Sequence, residues 1–446
     1  MTETAQRILR GRTLAFRGDP FVVAPERAID SHEDGGILIT DGQIADIGPY
    51  AAVARRAGGA QVDDWTGHLI MAGFVDCHIH FPQTEVIASY GAQLIEWLST
   101  YTFPAEMKFA DAAYAAAAAE FFLDECLRNG TTTVGAYCTV HPGSVDALFA
   151  AASRRDMRIA AGKVMMDRNA PDGLLDTAES GYRDSKALIA RWHGRGRNIY
   201  AVTPRFAPTS TPAQLKAAGA LWREHPDTLM QTHLSENRKE IAWVRELFPD
   251  CPDYLGVYEQ YGLAGKGAIF GHAIHLTERE KALLKASGSA IAHCPTSNAF
   301  IGSGLFDLQG LRHCDEPVTV GLATDVGGGS SFSMLQTMRS AYEIAQLRGY
   351  SLHPVRAYYL ATLGSAAAMG LAGKIGNLAS GFEADVVVLD LASRPLIAER
   401  MRHARGLADA LFIQMILGDD RAVRATYVAG RKLFDRDLPA ARLPAR

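Results

Sequence analysis

The chain has 446 residues, 48% of them hydrophobic and 21% charged, with a formal net charge of −4. These are ordinary globular values, the length suits a large barrel plus a smaller module, and the balance excludes a basic nucleic-acid surface. The apolar stretches fall short of the ~20 residues that a membrane helix needs. Residues 1–7 lack a basic-then-apolar leader pattern. The six cysteines are far apart, so reduced thiols in a cytoplasmic protein are expected.

Short strand and turn material comes first. Residues 7–17 and 35–47 read as strands, the second broken at the Asp41-Gly42 turn. From residue 69 strands alternate with helices. Strands are predicted at 69–80, 131–138, 158–166, 199–207, 229–236, 267–275, 289–296 and 318–325. Helices are predicted at 106–129, 143–155, 178–193, 211–225, 238–248, 277–287, 306–314 and 333–348. Asn129-Gly130 supplies a stop for the first of these. Eight β/α units predict an α/β fold, a (β/α)8 barrel of the TIM type. After a helix at 353–371 the pattern returns to strands within 375–390 and 421–434. Neither terminal part can bury a core alone, so both are expected to build one small β-sandwich. The predicted division is 1–70 and 375–446 for the sandwich and 71–374 for the barrel.

The chemistry gathers at the strand ends. His78 and His80 sit at i and i+2 at the end of Leu69-Ile-Met-Ala-Gly-Phe-Val-Asp-Cys-His-Ile-His80, so both imidazoles project to one face of a strand. Gln231-Thr-His233, Ala268-Ile-Phe-Gly-His272 and Val318-Thr-Val-Gly-Leu-Ala-Thr-Asp325 also end on ligand-type residues. The C-terminal strand ends are where an α/β barrel builds its site. His78, His80, His233 and Asp325 are the predicted ligands of one divalent metal, Zn²⁺ in the first place and Fe²⁺ in the second. Such a metal brings the pKa of water toward neutrality. Glu236 is the candidate proton carrier, against a plain first-turn glutamate on helix 238–248. His272 is the candidate for holding the nucleophile and the developing charge, and Asp325 doubles as ligand and base. His275 is read as structural. His293 is read as a hydrogen-bonding support for the ligands. The His-x-Glu and Pro-Cys-x-x-Cys pieces of the small zinc deaminases are absent.

These residues resemble the amidohydrolase superfamily over nearly the whole chain, as does Gly376-Asn-Leu-Ala-Ser-Gly-Phe-Glu-Ala-Asp385 in the returning sandwich segment. Within it the chain resembles the guanine deaminases. The resemblance lies in the long segment from His80-Phe-Pro-Gln-Thr-Glu to Tyr101-Thr-Phe-Pro-Ala-Glu106, in Thr203-Pro-Arg-Phe206, in Thr232-His-Leu-Ser-Glu-Asn237 and in Gly321-Leu-Ala-Thr-Asp-Val-Gly-Gly-Gly329. It implies hydrolytic deamination of guanine to xanthine and ammonia by a metal-activated hydroxide. It also implies that Gln83 and Arg205 read the purine while Phe206 packs on its face. A guanidinium and a carboxamide supply the donors that O6 needs. Trp97 and Phe103 either touch the ligand or pack the loop. Another purine such as 8-oxoguanine, an aminotriazine, or a catalytically silent scaffold are the alternatives. Binuclear members of the superfamily bridge two metals with a lysine on the fourth strand. Residues 199–207 contain none, and Lys163 is read as lying near the start of the third strand, so one metal is expected. The expected partners are a small-molecule purine and a second copy in a homodimer, with no nucleic acid and no membrane.

Overall fold

Parallel strands need long crossovers, and here the crossovers carry helices. Phe74–His80, Thr131–Tyr137, Arg158–Gly162, Asn198–Pro204, Leu229–Leu234, Ala268–His272, Ala290–His293 and Thr319–Leu322 pair in that order, all parallel. The eighth strand returns to the first. The Asp325 N–H donates to the His78 carbonyl at 3.0 Å, and the buried Asp76 carboxyl accepts from the Thr324 N–H and hydroxyl. Small residues fill the interior: Ala160, Ala201, Ala292 and Ala323 cluster with Val75 and Ile269. Their strand neighbours Ile159, Tyr200, Val202, Phe270, Ile291 and Val320 pack outward against the helices, the period-two alternation of a filled barrel. The computed structural model describes residues 6–91 and 93–438. Residues 1–5, Ala92 and 439–446, which fall in the N-terminal stretch, the long loop and the C-terminal sandwich segment, lie outside the described residues.

A seven-stranded sheet draws on both parts of the chain that flank the barrel, in the order Arg431–Asp435, Val423–Val428, Val386–Asp390, Gln61–Ala72, Arg7–Phe16, Ile29–Thr40, Gln43–Pro49. Alternate side chains divide between two cores. Ile70, Val386 and Val388 join Leu9, Ile37, Trp65 and Tyr427 in the sheet's own cluster, whereas Leu69, Met71, Val387 and Leu389 join the main core beside the barrel helices. The predicted strand 69–80 is thus two strands, one in each sheet. Gly73 marks the break, because a Cβ there would lie 2.3 Å from Thr132 Oγ1.

Local signals set several helix starts. Asp111 caps Ala112–Arg128 by accepting from the Ala113 and Tyr114 N–H groups, so this helix begins later than the predicted 106. Phe103–Met107 and Lys108–Ala110 form separate turns before it. Two helices, Pro395–Met401 and Leu407–Leu417, lie in the C-terminal segment read as β. The second is apolar on nearly every side, so it carries no amphipathic stripe to read. It sends Leu411 and Met415 into the main core.

The N-terminal ends of the strands are tied to the flanking sheet by charge. Arg158 and Arg197 both engage Glu383, and Arg197 also engages Asp385. Burial pushes the Glu383 carboxyl up, but the two guanidiniums outweigh it and hold the pKa below its ordinary value. No helix among the described residues is long and apolar enough to cross a membrane.

Candidate active site

At the opposite, C-terminal ends of the strands four imidazoles and two carboxylates meet. The ladder between the first two strands slips between Asp76 and Ile79, where His78 lies. The rings of His78 and His80 are 5.2 Å apart, and His78 lies 4.8 Å from His233 and 5.4 Å from His272. One nitrogen from each of His78, His80 and His233 falls within a 4.8 Å group. Asp325 Oδ1 lies 3.3 Å from His78 Nε2 and 3.4 Å from His80 Nε2. Ser235, His272, Ala273 and Asp325 all have left-handed backbone, with φ of 48°, 65°, 49° and 51°. For residues other than glycine that conformation is costly, and it clusters where strand ends must aim side chains inward. Gly271 gives His78 its room: a Cβ there would sit 2.5 Å from His78 Cε1.

The protonation pattern follows from burial and partners. Burial lowers the pKa of His78 and drives His80 and His233 well below the ordinary imidazole value, so all three are neutral. The His233 Nδ1–H donates to the Arg205 carbonyl at 2.7 Å, which leaves a lone pair on Nε2. That Nε2 faces His80 Nε2 at 3.1 Å. Among the described residues, neither nitrogen of His78 has a hydrogen-bond partner, nor does His80 Nδ1. Buried lone pairs converging beside a carboxylate are unfavourable unless a cation accepts them. Burial pushes Asp325 up, but the contact with His78 first, and the charge that His272 carries, bring it below its ordinary value, so it adds a negative charge. This donor set fits a divalent metal. Cys294 also lies near His78, His272 and Asp325. Burial drives its pKa well up, and its thiol donates to the Ala292 carbonyl, so it adds no ligand.

Glu236 and His272 stand beside this centre. Burial raises the Glu236 pKa to about 7, with His272 opposing and Glu240 adding to the rise. Its Oε1 accepts from Ser303 Oγ at 3.0 Å, and its Oε2 lies 3.5 Å from His272 Nε2. Burial works against a charge on His272, yet Glu236 and Asp325 raise its pKa. The His272 Nδ1–H donates to Asn298 Oδ1 at 2.9 Å, so Nε2 points at the two carboxylates. The left-handed Ser235 turns the chain, and the reciprocal cap of Asn237 and Glu240 starts the helix Arg238–Leu247. Glu240 Oε2 accepts from the Glu236 N–H at 3.0 Å, and that turn keeps the carboxylate over the site.

A cleft opens from these groups between an apolar wall of Leu94, Trp97, Leu98, Phe206 and Ile301 and a polar edge of Gln83 and Arg205. Arg205 Nη1 bonds both oxygens of the buried Glu106 at 2.8 and 2.7 Å. Trp97 lines the cleft, while Phe103 lies under the Arg205 guanidinium at 5.7 Å.

A model of the Amidohydrolase family matches residues 69–433. The chain belongs to the amidohydrolase family. Among amidohydrolases it is 51% identical over 406 residues to the guanine deaminase of Escherichia coli K12, covering 91% of this chain and 92% of that one. The solved structure of E. coli guanine deaminase superposes with a TM-score of 0.94 at 49% identity, covering 97% of this chain and all of that one. A guanine deaminase structure from C. acetobutylicum with guanine bound in its active site gives a TM-score of 0.85 at 27% identity, over 96% of this chain and 100% of that chain.

Every residue picked out of the sequence as a ligand, proton carrier or purine contact lies in this one amidohydrolase cleft or at its base. Two expectations are corrected. Lys163 does not start the third strand. It follows the strand's end at Gly162, buried, with its ammonium held by Asp176 and by the Val164 carbonyl at 3.2 Å, and it is absent from the cleft lining. His293 does not support a ligand. It stacks on Phe306 at 4.2 Å and its Nδ1 has no partner among the described residues, whereas Asn298 holds His272. His275 is structural as expected, bonding the Ser303 carbonyl through Nε2. Glu106, Asn298, Ser303 and Glu240 are site residues that the sequence does not single out. Glu106 closes the loop segment that carries the resemblance and Glu240 sits at the third position of a capping box, but neither signal assigns a role at the site, and polar residues such as Asn298 and Ser303 are not separated from surface residues by sequence.

Proposed function

We propose that this amidohydrolase converts guanine to xanthine and ammonia by hydrolysis at C2, using one metal ion held by His78, His80, His233 and Asp325. The observation that carries the reading is one cleft in which neutral imidazoles with open lone pairs face a proton-carrying glutamate, with an arginine-lined edge across an apolar slot. The similarity to guanine deaminases supports the substrate. The imidazole–carboxylate donor set suits zinc in the first place and also iron. When bound, the metal makes water acidic enough to serve as a nucleophile near neutral pH.

The chain's own residues do the rest. Arg205 and Gln83 hold the polar edge of the purine, and Phe206 packs against its plane. Leu94, Trp97 and Leu98 keep bulk water out, which strengthens every polar contact inside. Glu236, with a pKa of about 7, takes the proton of the attacking water and delivers it to N3. That transfer relieves the negative charge that attack at C2 builds on the ring. His272 and Asp325 hold the nucleophile in line and stabilise the tetrahedral centre. A second proton transfer to the exocyclic nitrogen makes ammonia the leaving group.

The test is purified protein incubated with guanine, with xanthine and ammonia quantified and metal measured by elemental analysis. Ammonia without xanthine, or two metals per active chain, overturns the reading in its respective part. The expected homodimer and cytoplasmic location are tested by sedimentation and by cell fractionation.

A further inference from the structure

Glu106 is fully buried and holds both polar residues of the cleft edge at once. Arg205 Nη1 engages both its oxygens, and Gln83 Nε2 donates to Oε1 at 3.2 Å. A carboxylate in such a pair only accepts hydrogen bonds. The Gln83 amide must therefore turn its NH₂ to Glu106, and its carbonyl oxygen is left beside Gly327. A Cβ at Gly327 would meet that oxygen at 2.2 Å, and the φ of +113° there suits glycine. Phe103 backs the guanidinium from the other side. One of the two N–H donors of Gln83 that were expected to face O6 is thus already taken by Glu106.

Resting on the guanine reading, we infer that Glu106 is the positioning residue that sets substrate specificity. It makes Gln83 present an acceptor and Arg205 present its remaining donors, a pair complementary to the N1–H and O6 of a 6-oxopurine. These two groups are neighbours on the ring, and N1 is bonded to C2, the reacting carbon. Reading them together also orients C2. Adenine offers the reverse pattern, a lone pair at N1 and an amino group at C6, so it mismatches twice. Buried polar groups left unpaired are the source of strong discrimination between such analogues.

The test compares wild type with Glu106→Gln, which keeps the size and removes the charge. Values of kcat/KM are measured for guanine and for 2-aminopurine, which lacks both O6 and N1–H. Metal content and melting temperature are recorded alongside. The guanine value should fall about 10- to 100-fold, the 2-aminopurine value should change little, and metal should be retained. Competitive inhibition by hypoxanthine, which carries O6 and N1–H without the 2-amino group, should weaken in parallel, and inhibition by unsubstituted purine should not. A merely structural Glu106 would lower both substrates together, and that result, or an unchanged ratio, overturns the inference. If Glu106→Gln does not fold, Glu106→Asp, which keeps the charge and pulls the carboxylate back from both partners, carries the same test: the advantage of hypoxanthine over purine as an inhibitor must shrink, and an unchanged advantage overturns the inference. A wild type that releases no ammonia from guanine overturns the underlying reading as well. An active wild type whose substrate ratio survives the Glu106 substitution overturns this inference alone.

Discussion

The two ends of the barrel bury the same kinds of side chain and treat them oppositely. At the N-terminal end Arg158, Arg197, Glu383 and Asp385 are matched, cation to anion, and join the barrel to the sheet. At the C-terminal end His78, His80 and His233 are buried with ring nitrogens that converge on each other and on Asp325, and several of these nitrogens have no hydrogen-bond partner among the described residues. The N-terminal cluster is partly exposed at Arg197 and Glu383 and the C-terminal one is buried throughout, yet burial is not the main contrast. The difference is whether the chain itself completes the pairing. A finished network stabilises, whereas an unfinished one holds a place for a ligand.

Breaking the unfinished end should act on metal and turnover. The His78→Ala, His80→Ala double variant is expected to lose both metal and activity while its circular dichroism stays that of wild type. Stoichiometric metal in that variant would remove both residues from the ligand set. Next in size is Glu236→Gln, with an expected loss of about 10²–10⁴-fold in kcat and metal unchanged. Turnover within a few-fold of wild type would move the proton transfers to His272 or Asp325. Gly271→Ala tests the packing behind the ligands. Its Cβ would overlap His78 at 2.5 Å, so metal affinity should drop about 10- to 100-fold, as for other changes that misorient a ligand. Chelator titration measures this, and an unshifted curve would mean that His78 is not a ligand or that its ring moves freely.

Breaking the finished end should act on stability alone. Glu383→Gln should cost about 1–3 kcal/mol at neutral pH and leave kcat/KM for guanine as in wild type. The sign of its pH dependence follows from the lowered folded-state pKa. The contribution of Glu383 is fully present above its ordinary value of 4.5 and disappears as pH falls through the lower folded value. Wild type and variant should therefore melt far apart at pH 7, begin to converge below about pH 4.5 and meet once pH is below the folded value. A gap that persists in acid would assign the loss to packing, and a change in kcat/KM would show that the two ends are coupled.

Much of the reactive end is legible in the amino-acid sequence. His78 and His80 sit on one face of a strand by period alone, and the pattern of strands ending on His233, His272 and Asp325 is local. The eight-unit alternation implies the barrel, since strand and helix periods are properties of neighbouring residues. What local pattern does not carry is partnership. Whether Lys163 belongs to the start or the end of its strand depends on where the ladder stops at Gly162 and on Asp176, thirteen residues on. The helix Leu407–Leu417 is hidden because its burial on most sides erases the period.

The sequence by itself thus determined the element types of the barrel, the strand-end histidines and the chemical class of the site. The polarity of the substrate edge was decided only by the tertiary structure. Gln83 and Arg205 are 122 residues apart, and nothing near either one says which atoms each presents. Glu106, brought between them by the loop after His80, settles it, because a buried carboxylate can only accept hydrogen bonds and each partner must turn its donors toward it.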